Sequence, residues 1–135
     1  MAKTFRQMVA EGREGTPMLS PQETDRRMKE ESGTLVVDVR DADGLAGTGI
    51  IPGAINVSLG TLPLRADQEL PEAMRNADLQ DRDRPIITTC GGGGQASLAA
   101  KVLRDMGFTN VSILEGGTNG WKAAGLPTVA PGENK

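Results

Sequence analysis

Strand-like and helix-like segments alternate along this chain. Short runs of β-branched and aliphatic residues, each typical of a strand, occupy residues 35–39, 85–89 and 110–114, and residues 51–57 form a proline-glycine turn that enters a short strand. Segments with helical periodicity or helical start signals occupy residues 20–31, 71–77, 96–106 and 118–124. Because the two kinds of segment alternate, the sequence predicts an α/β protein with a mostly parallel sheet.

The ends of the chain set the expected domain limits. Ser20 is an N-cap signal, and Glu23 three positions later completes a capping box, so the first clear helix begins there. Residues 1–17 carry only a weak helical pattern, and we expect an N-terminal extension over them. The domain is then expected over residues 18–127, with a C-terminal tail over residues 128–135.

The segment around the only cysteine organises the rest of the sequence. A predicted strand ends directly at Cys90, and a predicted helix begins at residue 96. Between them lie four glycines and a glutamine, which are Gly91, Gly92, Gly93, Gly94 and Gln95. The apolar residues of the following helix share one predicted face, formed by Leu98, Val102, Leu103 and Met106.

This placement predicts a reactive thiol. The free N–H groups of a first helical turn carry partial positive charge, and glycines let successive amides point into one concavity. A cysteine above such a nest is stabilised as the thiolate, which is the nucleophilic form. A lone cysteine can also be a small buried apolar residue. Core packing, however, gives no reason for four glycines directly after it, so we interpret Cys90 as a nucleophile.

Composition removes several other classes of function. The 135 residues include 15 basic and 18 acidic side chains, and this balance shows no nucleic-acid footprint. The absence of histidine excludes Cys-His and Ser-His catalysis and any histidine metal site, so we expect neither metal nor cofactor. A single cysteine suits a reducing compartment, and no apolar run is long enough for a membrane span. We therefore expect a cytoplasmic protein.

Four segments carry a resemblance to a known family. They are Leu35–Arg40, Ile51–Asn56, the Cys90 loop, and Leu114–Gly117 followed by Trp121. In this order, over residues 18–127, they resemble the single-domain rhodaneses, which are sulfurtransferases. The resemblance implies a three-layer α/β fold in which a five-stranded parallel sheet lies between helices. It also implies that the cysteine becomes a persulfide.

The resemblance assigns roles to individual residues. It implies an active loop from Cys90 through Gln95 whose amides cradle the sulfur and bind the substrate. Because that loop has no basic residue, Arg40 is a candidate for binding an anionic donor, and an ion pair with a nearby carboxylate is the alternative. Asp38 is expected to support the site by hydrogen bonding. Trp121 is expected in the core or in the pocket wall.

The implied reaction moves sulfane sulfur from a donor to an acceptor. The donor would be a small sulfur anion such as thiosulfate, or a persulfide, and the acceptor would be cyanide, a thiol or a protein. Two other classes stay open. One is a non-catalytic binding or sulfur-carrier module of the same fold. The other is a cysteine-dependent phosphatase, whose loop is one residue longer and ends in arginine where this chain has Ala96.

Overall fold

The computed structural model describes residues 2–132, which form an α/β domain. The strands are β1 (Met18–Leu19), β2 (Leu35–Asp38), β3 (Ile55–Asn56), β4 (Ile86–Thr89) and β5 (Val111–Leu114). The α-helices are α1 (Phe5–Arg13), α2 (Pro21–Glu30), α3 (Leu62–Ala66), α4 (Gly94–Asp105) and α5 (Gly117–Ala123). Short 3₁₀ helices cover Ala42–Gly44, Glu72–Met74 and Ala77–Leu79. Within residues 2–132, every helix is too short or too polar to cross a bilayer.

The five strands form one parallel sheet in the order β1-β5-β4-β2-β3. This confirms the predicted fold class. Strand β4 is the middle strand, so whatever follows it lies at the centre of the carboxyl edge of the sheet, where α/β proteins bind their ligands. Strand β1 has only two residues, and the hydrophobic pattern did not predict it.

Two helical layers cover the sheet because successive side chains of each strand point to opposite faces. On one face, strand residues pack against α3 and α4 in a cluster that includes Leu35, Val37, Ile86, Ile113, Leu62, Ala100 and Leu103. On the other face, they pack against α2 and α5 in a cluster that includes Leu19, Val36, Ile87, Leu114, Met28 and Trp121. Both faces of β2, β4 and β5 are therefore buried, as is usual for a parallel sheet with helices on both sides.

The predicted apolar face of α4 is confirmed in part. Leu103 belongs to the core, and Val102 and Met106 pack against it. The other buried residues of this helix are small, namely Ala96, Ser97, Ala99 and Ala100, and they bring the helix close to the sheet. Leu98 lies outside the core cluster and lines a groove together with Met8 of α1.

Three local predictions also change. The helix expected over residues 71–77 is a 3₁₀ helix at Glu72–Met74, and helix α3 lies in a stretch that showed no clear pattern. Ser20 caps α2 by accepting the N–H of Glu23 at 3.0 Å, as predicted. The Glu23 carboxylate does not complete the capping box. Hydrogen bonds from Arg26 and then Arg27 hold it and lower its pKa to about 2.

Helix α1, in the expected N-terminal extension, crosses α4 at Gly12. A Cβ atom on Gly12 would lie 2.1 Å from the backbone oxygen of Ser97, so the two helices touch backbone to backbone there. An Arg104 Nη2–H donates to the Gly12 carbonyl at 3.1 Å. At the other end of the chain, Val129 pairs with Ile50 in an antiparallel bridge. The limits of the extension and of the tail stay predictions, and residues 133–135 of the tail lie outside the described part.

We predict that Gly12→Ala destabilises the protein by about 1–3 kcal/mol, because the added methyl group overlaps a backbone atom that cannot move alone. The measurement is the free energy of unfolding in urea. Gly60→Ala is the matched control, since a Cβ on Gly60 meets no atom within 4 Å. Equal stabilities for the two variants would contradict the close crossing of α1 and α4.

Candidate active site

Cys90 directly follows the middle strand of the sheet. It is the first residue after Thr89, which ends β4, and it lies at the carboxyl edge. The residue is buried, with 3% of its surface exposed, and it borders the core cluster beneath α4. The predicted placement of the thiol between a strand end and a helix start is therefore confirmed.

Backbone amides surround the sulfur. The N–H of Gly93 donates to Cys90 Sγ with an N···S distance of 3.0 Å, and the N–H of Ala96 donates at 3.4 Å. The chain thus curls around its own cysteine within one turn and continues into α4. Sequence reasoning placed the cradle in residues 91–95, whereas Ala96 of the first helical turn contributes one of the two amides. Such donors stabilise negative charge on sulfur.

Gly93 is the loop position that needs glycine. Its φ is +107°, a left-handed conformation that side chains rarely adopt, and it is the N-cap of α4. For Gly91 and Gly92 the backbone stays outside that region. Gly92 and Gln95 are exposed, and their expected contacts with substrate stay predictions.

The start of α5 supports the Cys90 loop from behind. The N–H of Thr118 donates to the Cys90 carbonyl at 2.8 Å, and the N–H of Asn119 donates to the Gly91 carbonyl at 3.0 Å. Gly117 has φ +62°, and a Cβ there would lie 2.6 Å from the Gly91 oxygen. The glycine pair of the Leu114–Gly117 segment is therefore explained by close approach of two backbones. Sequence reasoning identified the segment but not this contact.

Buried threonines join the loop to the sheet. The Thr88 hydroxyl donates to the Ala96 carbonyl at 2.9 Å, which fixes the first turn of α4 against β4. The hydroxyls of Thr89 and Thr118 lie 3.1 Å apart, and Thr89 also donates to the Cys90 carbonyl at 3.3 Å. The sequence analysis treated both β4 threonines only as strand formers. The signal that was missed is two consecutive threonines directly before Cys90, in a strand that is buried on both faces.

Arg40 forms the ion pair that was its alternative role. Its Nε donates to Asp38 Oδ1 at 3.0 Å and its Nη2 to Asp38 Oδ2 at 2.7 Å. The other guanidinium protons go to Thr48 and to the carbonyls of Gly44 and Gly49. All five N–H donors of the guanidinium therefore have protein acceptors, which favours the structural role of Arg40 over a contact with substrate.

Asp38 and Trp121 are both buried. Asp38 is fully buried and also accepts the backbone N–H of Arg40 at 3.2 Å, so it fixes the loop that leaves β2. Trp121 is 1% exposed in the core between the sheet and α5, and its Nε1–H donates to the Pro127 carbonyl at 2.7 Å. Their role as structural support of the site stays a prediction.

Helix α1 brings two residues to the Cys90 loop that sequence reasoning did not identify. The Phe5 ring covers Gly94, where a Cβ would lie 2.8 Å from Phe5 Cζ. Arg13 Nε donates to Ser97 Oγ at 3.0 Å. An open groove of about 610 Å³ lies between α1 and Gly94. Arg13 supplies a positive charge beside a loop that has none of its own.

The thiol of Cys90 lies at the carboxyl edge of a parallel sheet, and amides at the start of a helix donate to it. This arrangement places the protein in the class of cysteine-loop α/β domains. Residues 20–124 match the family model of the rhodanese-like domain. The chain belongs to the rhodanese-like domain family, as its four sequence segments predicted.

Named relatives and solved structures extend this comparison. The chain is 31% identical over 103 residues to the thiosulfate sulfurtransferase GlpE of Pseudomonas putida, covering 76% of this chain and 83% of GlpE. A protein of unknown function from Rhodopseudomonas palustris, described as a possible tyrosine phosphatase, superposes with a TM-score of 0.87 at 28% identity over 96% of both chains. The polysulfide-sulfur transferase homodimer of Wolinella succinogenes gives a TM-score of 0.74 at 29% identity, over 96% of this chain and 89% of that one.

Proposed function

We propose that this protein is a sulfurtransferase that carries sulfane sulfur as a persulfide on Cys90. The observation that carries the proposal is the pair of hydrogen bonds from the Gly93 and Ala96 amides to Cys90 Sγ. The activities for which two similar proteins are named, a thiosulfate sulfurtransferase and a polysulfide-sulfur transferase, support it. Both activities handle sulfur bonded to sulfur.

The first step loads the cysteine. The Cys90 thiolate attacks the outer sulfur of thiosulfate, and a new bond forms between that sulfur and Sγ. The bond between the two sulfurs of thiosulfate breaks, and its electron pair leaves with sulfite. Covalent capture splits the transfer into two easier displacements.

The second step removes the sulfur from Cys90. A thiophilic acceptor such as cyanide or a thiolate attacks the outer sulfur of the persulfide. The bond between Sγ and the outer sulfur breaks, and its electron pair returns to Cys90 as the thiolate. With cyanide the product is thiocyanate. Atoms and electrons balance over the two steps without an external oxidant or reductant.

The loop supplies electrostatic stabilisation in both steps. Negative charge rests on Sγ before loading and again after unloading, and the Gly93 and Ala96 amides are aimed at that atom. The chain contains no histidine to act as a base, so the proposal assigns the stabilisation of charge at Sγ to these backbone amides.

The need for a reduced Cys90 thiol is relevant to the cellular compartment of the protein. Cys90 has no second cysteine in the chain to pair with, and it must stay unoxidised between turnovers. We therefore propose the cytoplasm as its compartment, because thiols are kept reduced there. A small thiol or a protein thiol of that compartment is the proposed acceptor.

The resemblance to a protein described as a possible tyrosine phosphatase raises phosphate-ester hydrolysis as a competing activity. A phosphatase loop would end in an arginine that grips phosphate through two parallel hydrogen bonds. Here Ala96 occupies that position, and Arg104, the one arginine of α4, donates to the Gly12 carbonyl of α1 instead. We therefore favour sulfur transfer over phosphate-ester hydrolysis.

We predict that Cys90→Ser abolishes thiocyanate formation from thiosulfate and cyanide, because a serine hydroxyl does not ionise under the same conditions. Unfolding of the variant in urea is the control for a retained fold. Hydrolysis of p-nitrophenyl phosphate by the wild-type protein is measured in parallel. A Cys90→Ser variant with most of its sulfur transfer, or a wild-type protein active only on the phosphate ester, would refute the proposal.

We also predict that Gly93→Val is strongly damaging, with a loss of about 10²–10³-fold in turnover, the range for removal of one oxyanion donor. A side chain disfavours φ +107° and turns the amide away from the sulfur. Gly107→Val is the matched control, because Gly107 has a similar φ of +98° with open space around it, beyond the end of α4. That variant should lose stability and keep its turnover. Equal turnover in the two variants would contradict the role of the Gly93 amide.

A further inference from the structure

Arg13 is the start of a chain of hydrogen bonds that ends at the reactive sulfur. Its Nε–H donates to Ser97 Oγ at 3.0 Å. The Ser97 hydroxyl donates in turn to the Gly93 carbonyl at 2.8 Å, and the Gly93 N–H donates to Cys90 Sγ at 3.0 Å. Two side chains, of Arg13 and Ser97, and the backbone of Gly93 thus connect helix α1 with the thiol.

The middle of this chain fixes a flexible residue. Gly93 has the conformational freedom of glycine, yet its amide must point at the sulfur. Its carbonyl accepts both the Ser97 hydroxyl and the Ser97 backbone N–H, the latter at 3.1 Å. Ser97 is fully buried. Gly93 is therefore held at its N–H by Cys90 and at its carbonyl by Ser97.

Arg13 adds a second hydrogen bond to the Ser97 hydroxyl and so restrains its position. A hydroxyl can donate only one proton. Because Arg13 can only donate, Ser97 Oγ accepts from it and keeps its own proton for the Gly93 carbonyl. The hydrogen bond from a charged guanidinium is also stronger than a neutral one, and neighbouring bonds in a chain polarise each other.

The position of Arg13 is itself fixed by the fold. It follows Gly12, whose backbone touches the backbone of Ser97. Arg13 Nη2 then lies 3.5 Å from the place where a Cβ of Gly93 would be, so the guanidinium lies directly against the loop. Helix α1 lies outside residues 20–124, which the family model matches.

We propose that Arg13 is a positioning residue of this site, which acts through Ser97 to hold the Gly93 amide against the Cys90 sulfur. The proposal rests on the proposed function for its effect on turnover. Its geometric content, coupling between Arg13 and Ser97 at the thiol, does not depend on which substrate the thiol attacks. Helix α1 is then part of the catalytic apparatus and not only a cover for α4.

The test is a double-mutant cycle on the rate of sulfite release in the first turnover with thiosulfate. Arg13→Ala and Ser97→Ala should each lower the rate at saturating thiosulfate by about 10-fold or more, the scale expected for a misplaced catalytic group. The double variant should be no slower than the slower single variant, because both changes break the same chain. If the double variant is instead slower by the product of the two single losses in rate, the proposal is overturned.

Two further variants separate positioning from simpler roles of Arg13. Arg104→Ala also releases a guanidinium contact between α1 and α4 but does not touch the loop, so it should lose stability and keep the rate within about twofold of wild type. Arg13→Lys keeps the charge but loses the planar guanidinium, so it should recover affinity for thiosulfate without recovering the full rate. A full recovery of rate by Arg13→Lys would show attraction of the anion, not positioning.

The same cycle is repeated with iodoacetamide, a neutral reagent that alkylates Cys90 without sulfur transfer. The alkylation rate should change in the same direction in Arg13→Ala and in Ser97→Ala. The double variant should change no further than the more affected single variant, and Arg104→Ala should match wild type. If wild-type protein releases no sulfite, the proposed function fails and the alkylation cycle alone decides the positioning role. If Ser97→Ala does not fold, the comparison of Arg13→Ala with Arg104→Ala decides the result, because Arg13 contacts Ser97 beside the loop whereas Arg104 contacts the Gly12 carbonyl.

Discussion

The site depends on one constraint, which is that a buried thiol must accept hydrogen bonds from the backbone that follows it. The amides of Gly93 and Ala96 reach Cys90 Sγ only if the chain reverses within a single turn. That reversal needs a left-handed residue at position 93, where φ is +107°. The nest then supplies fixed partial positive charge at the sulfur without any charged residue in the loop itself.

The surrounding elements hold this loop from three sides. The buried hydroxyls of Thr88 and Thr89 in the middle strand donate to the carbonyls of Ala96 and Cys90. At the start of α5, the amides of Thr118 and Asn119 donate to the carbonyls of Cys90 and Gly91. Helix α1 closes the third side through Arg13. Because these contacts come from separate parts of the chain, the reactive geometry is a product of the whole fold and is prepared before any substrate arrives.

Much of this could be predicted from sequence, and the rest could not for physical reasons. The alternating pattern indicated a parallel α/β sheet, and the glycines after Cys90 indicated an amide cradle. Strand β1 is too short to show a period, and the buried alanines of α4 give a weaker signal than Leu98, which lies outside the core. The contact between Arg13 and Ser97 joins residues 84 positions apart, and no local pattern encodes it.

The central claim is that Cys90 takes up and gives away one sulfur atom. The most direct measurement is the mass of the intact protein after incubation with thiosulfate, followed by digestion to locate any added mass. The account predicts one added sulfur on the peptide that contains Cys90, and its loss with formation of thiocyanate when cyanide is added. An unchanged mass, or sulfur that cyanide does not remove, would contradict the account.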